Sequence, residues 1–157
     1  MPMQVLDRIS AVLAEKGRAV YSVKPDATVY ESLEIISEKN IGCLLIMEDQ
    51  KLLGIFSERD YARKVALRGR TGRDTHVSEV MSQPPLVISP DGSVEDAMRI
   101  VTDARENHVA VVDARGAVLG VVSIGDLVKW IITSHEKTIK HLESYITGQH
   151  DSAHVMR

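Results

Sequence analysis

One pattern of residues occurs twice in this chain. The stretch "KPDATVYESLEII" (24–36) aligns with "SPDGSVEDAMRIV" (89–101), and "GIFSERD" (54–60) aligns with "GVVSIGD" (120–126). Internal similarity of this kind indicates two copies of one structural unit. Each copy covers roughly 45 residues, which is too few to bury a stable core alone, so we expect the two copies to pack against each other.

Within each copy, the local signals predict the order strand, helix, strand, strand, helix. The first strands, Val20–Val23 and Leu86–Ile88, are followed by the capping-box patterns "TVYE" and "SVED", so the helices begin at Thr28 and Ser93. Two continuous apolar runs of strand length come next in each copy, "CLLIM" with "LLGIF" and "VAVV" with "AVLGVV". A second helix follows the third strand.

Continuously apolar strands are typical of sheets that are covered on both faces. The predicted fold class is therefore α/β (α+β), with two pseudo-symmetric β-α-β-β-α repeats packed through their sheets. A short amphipathic helix over 4–15 precedes the repeats, and the helix that starts at Ser123 is predicted to continue to Gly148. The predicted divisions are an N-terminal helix (1–17), a first repeat (18–68), a connector (69–85), a second repeat (86–133) and a C-terminal helical extension with a tail (134–157).

The composition excludes several classes of protein. The chain has 157 residues, of which 44% are hydrophobic and 26% charged, with a net charge of -3. This is the profile of a globular protein and gives no electrostatic reason to bind nucleic acid. The charged N-terminal segment does not match a signal peptide, and no apolar run approaches the ~18 residues of a membrane span. We therefore expect a cytoplasmic protein, without membrane association, whose single cysteine, Cys43, is a buried apolar residue.

The repeated serine and aspartate carry the functional signal. Ser57 with Asp60, and Ser123 with Asp126, have the spacing of a capping box at a helix start. Asp is one methylene shorter than the usual Glu, however, which makes it better suited to face outward. A helix N-terminus that follows a glycine-containing strand favours phosphate, and a carboxylate there can accept two hydrogen bonds from a ribose diol. Phosphate and ribose together indicate a nucleotide, while helix capping remains the alternative.

With these motifs in place, the chain resembles a tandem pair of CBS domains, the domain named for cystathionine beta-synthase. "GVVSIGDLV" resembles the family signature G-x-x-S-x-x-D-h, and "ENHVAVVD" resembles its R-H-x-P-V-V-D strand. The resemblance covers about residues 18–133. The arrangement of both motifs with a long terminal helix is similar to small stand-alone bacterial CBS-pair proteins.

The resemblance implies two clefts between the repeats that hold an adenosine-containing ligand, with NAD or AMP favoured and ATP or S-adenosylmethionine as further options. By position, Asp60 and Asp126 would bind ribose hydroxyls, and Ser57 and Ser123 would lie beside the phosphate or ribose, with Arg59 near the phosphate. The residues that would enclose the base or line the cleft are Tyr21, Val23, Ile41, Gly42, Leu44, Ser89, His108, Val109 and Ala110.

The two copies depart from the family pattern in different ways. Asn107 and Ala110 stand where the family often has Arg and Pro, Gly42 aligns with His108, and Gly125 aligns with Arg59. The clefts therefore cannot be equivalent. Positive charge is concentrated on the last helix of the first copy, so we expect that copy to neutralise a phosphate-rich ligand better. The residues concerned are Arg59, Arg63 and Lys64.

These observations predict a non-enzymatic regulatory module that senses an adenine nucleotide and signals to an unidentified protein target. The apolar stripe on the terminal helix predicts a homodimer; its members are Leu127, Ile131, Ile139, Leu142 and Ile146. The chief alternative is a ligand-independent structural dimerisation adaptor. An enzyme is the weaker third option, since the sequence contains no catalytic constellation. No metal site is expected: His150 and His154 have helical spacing but lie in a polar tail.

Overall fold

Two small sheets form the centre of the protein. The computed structural model describes residues 7–147 and contains two three-stranded sheets, of strand order β1-β2-β3 and β4-β5-β6. In each sheet the first pair of strands is parallel and the second pair antiparallel. The strands are β1 (Ser22–Val23), β2 (Cys43–Glu48), β3 (Lys51–Ser57), β4 (Val87–Ile88), β5 (His108–Val112) and β6 (Val118–Ser123). The predicted fold class is confirmed.

Within residues 7–147 five α-helices accompany the sheets, and the starts of two follow directly from the sequence. They are α1 (Ile9–Lys16), α2 (Val29–Lys39), α3 (Glu58–Lys64), α4 (Val94–Ala104) and α5 (Ile124–Thr147). Thr28 and Ser93 accept hydrogen bonds from backbone N–H groups at the third helical position, and Glu31 and Asp96 accept the reciprocal bonds. These two predicted capping boxes are confirmed.

Alternate side chains of the central strands point to two different cores, as the two-residue period of a strand requires. Leu44, Ile46 and Phe56 are fully buried in the core beside α2. Cys43 and Leu45, which alternate with Leu44 and Ile46 along β2, belong to a cluster that also contains side chains from the other sheet. The two sheets therefore pack face to face, and their helices cover the outer faces.

Helix α1 belongs to the core of the second repeat. Ile9 and Leu13 are fully buried in that core, and Val12 nearly so. The backbone N–H of Ile9 donates to the carbonyl of Gly92 at 2.8 Å, and a Cβ added at Gly120 would lie 2.8 Å from Leu13 Cδ2. The helix thus lies directly on strand β6.

The segment that precedes β4 packs on the first repeat in the way that α1 packs on the second. This segment includes the short 3-10 helix Val77–Glu79. The Val77 N–H donates to the carbonyl of Ala27 at 2.8 Å, and Met81 packs on Gly54 as Leu13 does on Gly120. The core of each repeat therefore includes a short helical segment that precedes the first strand of the other repeat, although the sequence showed no similarity between the two segments.

Helix α5 extends well beyond the second repeat. Its first part is buried, with Leu127 in the core and Ile131 packed against it. Farther along, Ile139, Leu142 and Ile146 are exposed. The helix reaches Thr147, and the predicted end at Gly148 lies outside the described residues. Neither α5 nor any other helix within residues 7–147 has the length and apolar character needed to cross a bilayer.

We predict that Leu13→Ala lowers the free energy of unfolding by about 2–5 kcal/mol, because it leaves a cavity between α1 and the second repeat. Leu67→Ala is the matched control, since Leu67 is 79% exposed, and it should change stability by less than about 0.5 kcal/mol. Urea unfolding at fixed protein concentration measures both values. Equal effects would show that α1 contributes little to this core.

Cys43 gives a second prediction. Its thiol is buried between the sheets, and burial raises its pKa to about 12. Since the thiolate is the reactive form, we expect Cys43 to react with a disulfide reagent such as DTNB only when the protein unfolds. The measurement compares labelling rates in buffer and in urea, with free cysteine as the control. Rapid labelling of the folded protein would contradict the buried position.

Candidate functional site

Two clefts open between the repeats. Cleft 1, of about 450 Å³, lies between Ser57 and Asp60 of the first repeat and Asn107 and His108 of the second. Cleft 2, of about 390 Å³, lies between Ser123 and Asp126 of the second repeat and Ile41 and Gly42 of the first. Each cleft takes its repeated Ser and Asp from one repeat and its opposite wall from the other.

In cleft 1, hydrogen-bond donors of the protein surround the Asp60 carboxylate. One oxygen accepts bonds from the Ser57 N–H at 3.0 Å and from the Ser57 hydroxyl at 3.3 Å. The other oxygen accepts a bond from the Ser82 hydroxyl at 2.9 Å and lies 3.1 Å from Lys64 Nζ. Asp60 is only 7% exposed. The expectation that this side chain faces outward is therefore wrong, because it completes the capping box of α3.

In cleft 2, Asp126 also completes a capping box, but its other partner differs. Asp126 Oδ2 accepts a hydrogen bond from the Ser123 N–H at 2.8 Å and forms an ion pair with Lys16 Nζ at 2.5 Å. Burial raises the pKa of Asp126, but the bonds from Lys16 and Ser123 outweigh this effect and hold the pKa below its usual value. The Asp126 carboxylate is thus charged at neutral pH.

Lys16 takes the place in cleft 2 that Ser82 has in cleft 1. Ser82 exchanges two backbone hydrogen bonds with Ile55 of strand β3 and donates its hydroxyl to Asp60. Lys16 Nζ donates to the carbonyl of Val121, on strand β6, at 2.6 Å and binds Asp126. Sequence reasoning missed both residues. The contacts join positions far apart in the chain, and no motif around Lys16 or Ser82 signals them.

His108 lies where the two clefts meet and lines both. A Cβ on Gly42 would come within 2.8 Å of His108 Nε2, so the absence of a side chain at Gly42 makes room for the imidazole. Burial lowers the pKa of His108, and the charge of Lys16 lowers it further against the opposing effect of Asp126 and Asp60. The ring is therefore neutral at neutral pH and offers no fixed positive charge to a phosphate.

The other residues predicted for the site fall into two groups. Arg59 lines cleft 1, where its guanidinium donates to the carbonyl of Arg105 at 2.5 Å, and Tyr21 lines cleft 2. A second group lines neither cleft. Leu44, Val109 and Ala110 are buried in the hydrophobic cores, and Val23 packs against the core of the first repeat. Ser89 is exposed on the loop before α4. A role in ligand binding for these residues stays a prediction.

The described residues give little support to nucleic-acid binding or to metal binding. The basic residues of the connector are engaged within the chain, Arg70 with Glu79 at 2.6 Å and Arg73 over the ring of Tyr30 at 3.8 Å. Within residues 7–147, no three His, Cys, Asp or Glu side chains are grouped closely enough to hold a metal ion. His150 and His154 lie outside the described residues.

The comparison with known proteins agrees with this architecture. The family model described as "CBS domain" matches residues 16–67 and 77–133. The mitochondrial CBS domain-containing protein CBSX3 of Arabidopsis thaliana is 34% identical over 149 residues, which cover 89% of this chain and 72% of CBSX3.

Solved structures show the same fold. A CBS-domain protein from Burkholderia ambifaria is 36% identical and matches with a TM-score of 0.76 over 80% of this chain and 94% of its own. CBSX2, solved in complex with AMP, is 27% identical and matches with a TM-score of 0.61 over 74% of this chain and 90% of its own. From its two matched domains and from the architecture of its paired repeats, the chain belongs to the CBS-domain family.

Proposed function

We propose that this protein is a non-enzymatic regulatory module that binds an adenosine nucleotide between its two repeats. The observation that carries the proposal is the pair of capped helix N-termini, α3 and α5, each of which brings a Ser and an Asp to the wall of a cleft. The related CBSX2 has been solved with AMP, which supports an adenosine ligand. AMP and NAD are the preferred ligands, with ATP and S-adenosylmethionine as the other members of the class.

The chemistry of the clefts suits such a ligand. A carboxylate accepts hydrogen bonds from the hydroxyls of a ribose, and a helix N-terminus with a serine favours phosphate. Apolar walls, including Val20 and Ile41 of cleft 2, provide surface for the base. Each cleft volume lies within the range for small-molecule sites.

Signalling would follow because each cleft has one wall from each repeat. A ligand that contacts both repeats stabilises the relative position that lets it touch both walls. It can shift the population of conformations only by the difference in its affinity for them. Helix α5 begins at the capping box of Ser123 and Asp126, so a change in cleft 2 acts directly on its first turn.

The adaptor remains the second candidate, and two observations favour it. The hydrogen-bonding sites of the Asp60 carboxylate are filled by the protein's own donors. The far part of α5 also presents an exposed apolar stripe, formed by Ile139, Leu142 and Ile146. We propose that this stripe pairs with its copy in a two-fold homodimer, which both candidate functions would use.

We predict that adenosine nucleotides raise the melting temperature. A ligand of the native state at 100 times its dissociation constant adds about 2.7 kcal/mol, or roughly 5–11 °C for a chain of this size. Differential scanning fluorimetry with AMP, ADP, ATP, NAD, NADH and S-adenosylmethionine tests this, with GMP as the control for base recognition. If none of these ligands shifts the melting temperature at millimolar concentration, the adaptor becomes the preferred function.

For the dimer, we predict that Leu142→Lys lowers the mass in solution from that of two chains to that of one, because it places charge in the apolar stripe. Lys137→Gln is the control, since Lys137 is exposed on the same helix, away from the stripe. Light scattering coupled to size-exclusion chromatography gives the mass. A wild-type monomer, or a dimer unaffected by Leu142→Lys, would contradict the assignment of the stripe.

A further inference from the structure

The two repeated aspartates differ in how much hydrogen-bonding capacity they have left. An ionised carboxylate has about four acceptor sites. Asp60 fills its sites with the bonds from Ser57, Ser82 and Lys64, and it is almost wholly buried. A ribose diol could bind Asp60 only by displacing these internal donors.

Asp126 has capacity to spare. Its Oδ2 atom accepts the bonds from Ser123 and Lys16, whereas no group in the described part of the chain donates to its Oδ1 atom. The Asp126 side chain is also 26% exposed, compared with 9% for the side chain of Asp60. The free oxygen of Asp126, a residue that lines cleft 2, is therefore available to an external donor.

Lys16 places a positive charge beside that oxygen. The lysine ammonium has three N–H groups, of which two are directed to Asp126 Oδ2 at 2.5 Å and to the carbonyl of Val121 at 2.6 Å. One donor remains, and the side chain is 37% exposed on the wall of cleft 2. Because α1 is fixed by its buried residues Ile9 and Leu13, the ammonium is held in place before a ligand arrives.

The cations of cleft 1 also have partners within the chain. Arg59 donates to the carbonyl of Arg105, and Lys64 donates to the carbonyl of Val80 as well as pairing with Asp60. Glu106 adds a second acid to the lining of cleft 1, whereas Asp126 is the one acid among the lining residues of cleft 2. Cleft 1 thus has two cations and two acids, against one of each in cleft 2, and cleft 2 is distinguished by the open oxygen of Asp126.

We propose that Lys16 is a phosphate-binding residue of cleft 2, and that cleft 2 is the higher-affinity site for an adenosine 5'-phosphate. The ribose diol donates to the free oxygen of Asp126, and the phosphate accepts the third N–H of Lys16. This inference rests on the proposed nucleotide function, and it reverses the expectation from sequence that the first repeat neutralises phosphate better.

The test compares the affinities of adenosine and AMP, whose difference isolates the phosphate. Isothermal titration calorimetry is performed on the wild type, on Lys16→Met and on its matched control Lys64→Met, which changes the lysine that pairs with the other repeated aspartate. We expect Lys16→Met to weaken AMP binding at least about tenfold, as loss of a charge-assisted hydrogen bond would. Its adenosine affinity should change by less than about threefold, and Lys64→Met should weaken AMP binding less than Lys16→Met does.

Four other results would contradict the proposed role of Lys16. If Lys64→Met weakens AMP binding and Lys16→Met does not, the phosphate lies in cleft 1, and the nucleotide function stands without this inference. If Lys16→Met strengthens AMP binding, Lys16 competes with the ligand for Asp126. An equal loss for adenosine and AMP would assign Lys16 a structural role. If the wild type binds neither ligand at millimolar concentration, the nucleotide function fails and this inference fails with it.

Discussion

The structure depends on the burial of two small sheets that each have two apolar faces. The helices of one repeat cover one face of its sheet, and the other face, with Cys43 and Leu45, is covered by the sheet of the other repeat. Neither sheet could leave that inner face in water, since the residues buried there, Cys43, Leu45, Ile55 and Ala110, are apolar. Pairing of the repeats is therefore a condition for folding, and the two clefts between the repeats are a geometric result of it.

The same pairing explains why the clefts differ. Aligned residues of the two repeats meet near the pseudo-two-fold axis, and Gly42 and His108 are such a pair. Two imidazole rings could not occupy that space, so a histidine in one repeat requires a small residue in the other. The second difference between the clefts is the partner of the repeated Asp: Lys16 of α1 makes the contacts in cleft 2 that Ser82 makes in cleft 1. The chain thus keeps a symmetric scaffold and places asymmetric chemistry on it.

Sequence patterns could predict most of the fold because its elements have strong local causes. The capping residues Thr28 and Ser93 mark helix starts, and the apolar runs mark strands. The correspondence between α1 and the segment around Val77 was missed, since the two share only apolar spacing and differ in length. At the site, the sequence could identify Asp60 and Asp126 but not their partners. Lys16 and Ser82 reach these acids through tertiary contacts, which the local sequence around either residue does not specify.

The length of α5 has a mechanical consequence. Its 24 residues span about 36 Å at 1.5 Å per residue, and only its first turns are anchored in the core. By simple geometry, a tilt of about 5° at the anchored end displaces the far end by about 3 Å, comparable to half a helical turn. In the proposed dimer, a ligand that tilted α5 by this amount at its base would therefore change how the two helices pack.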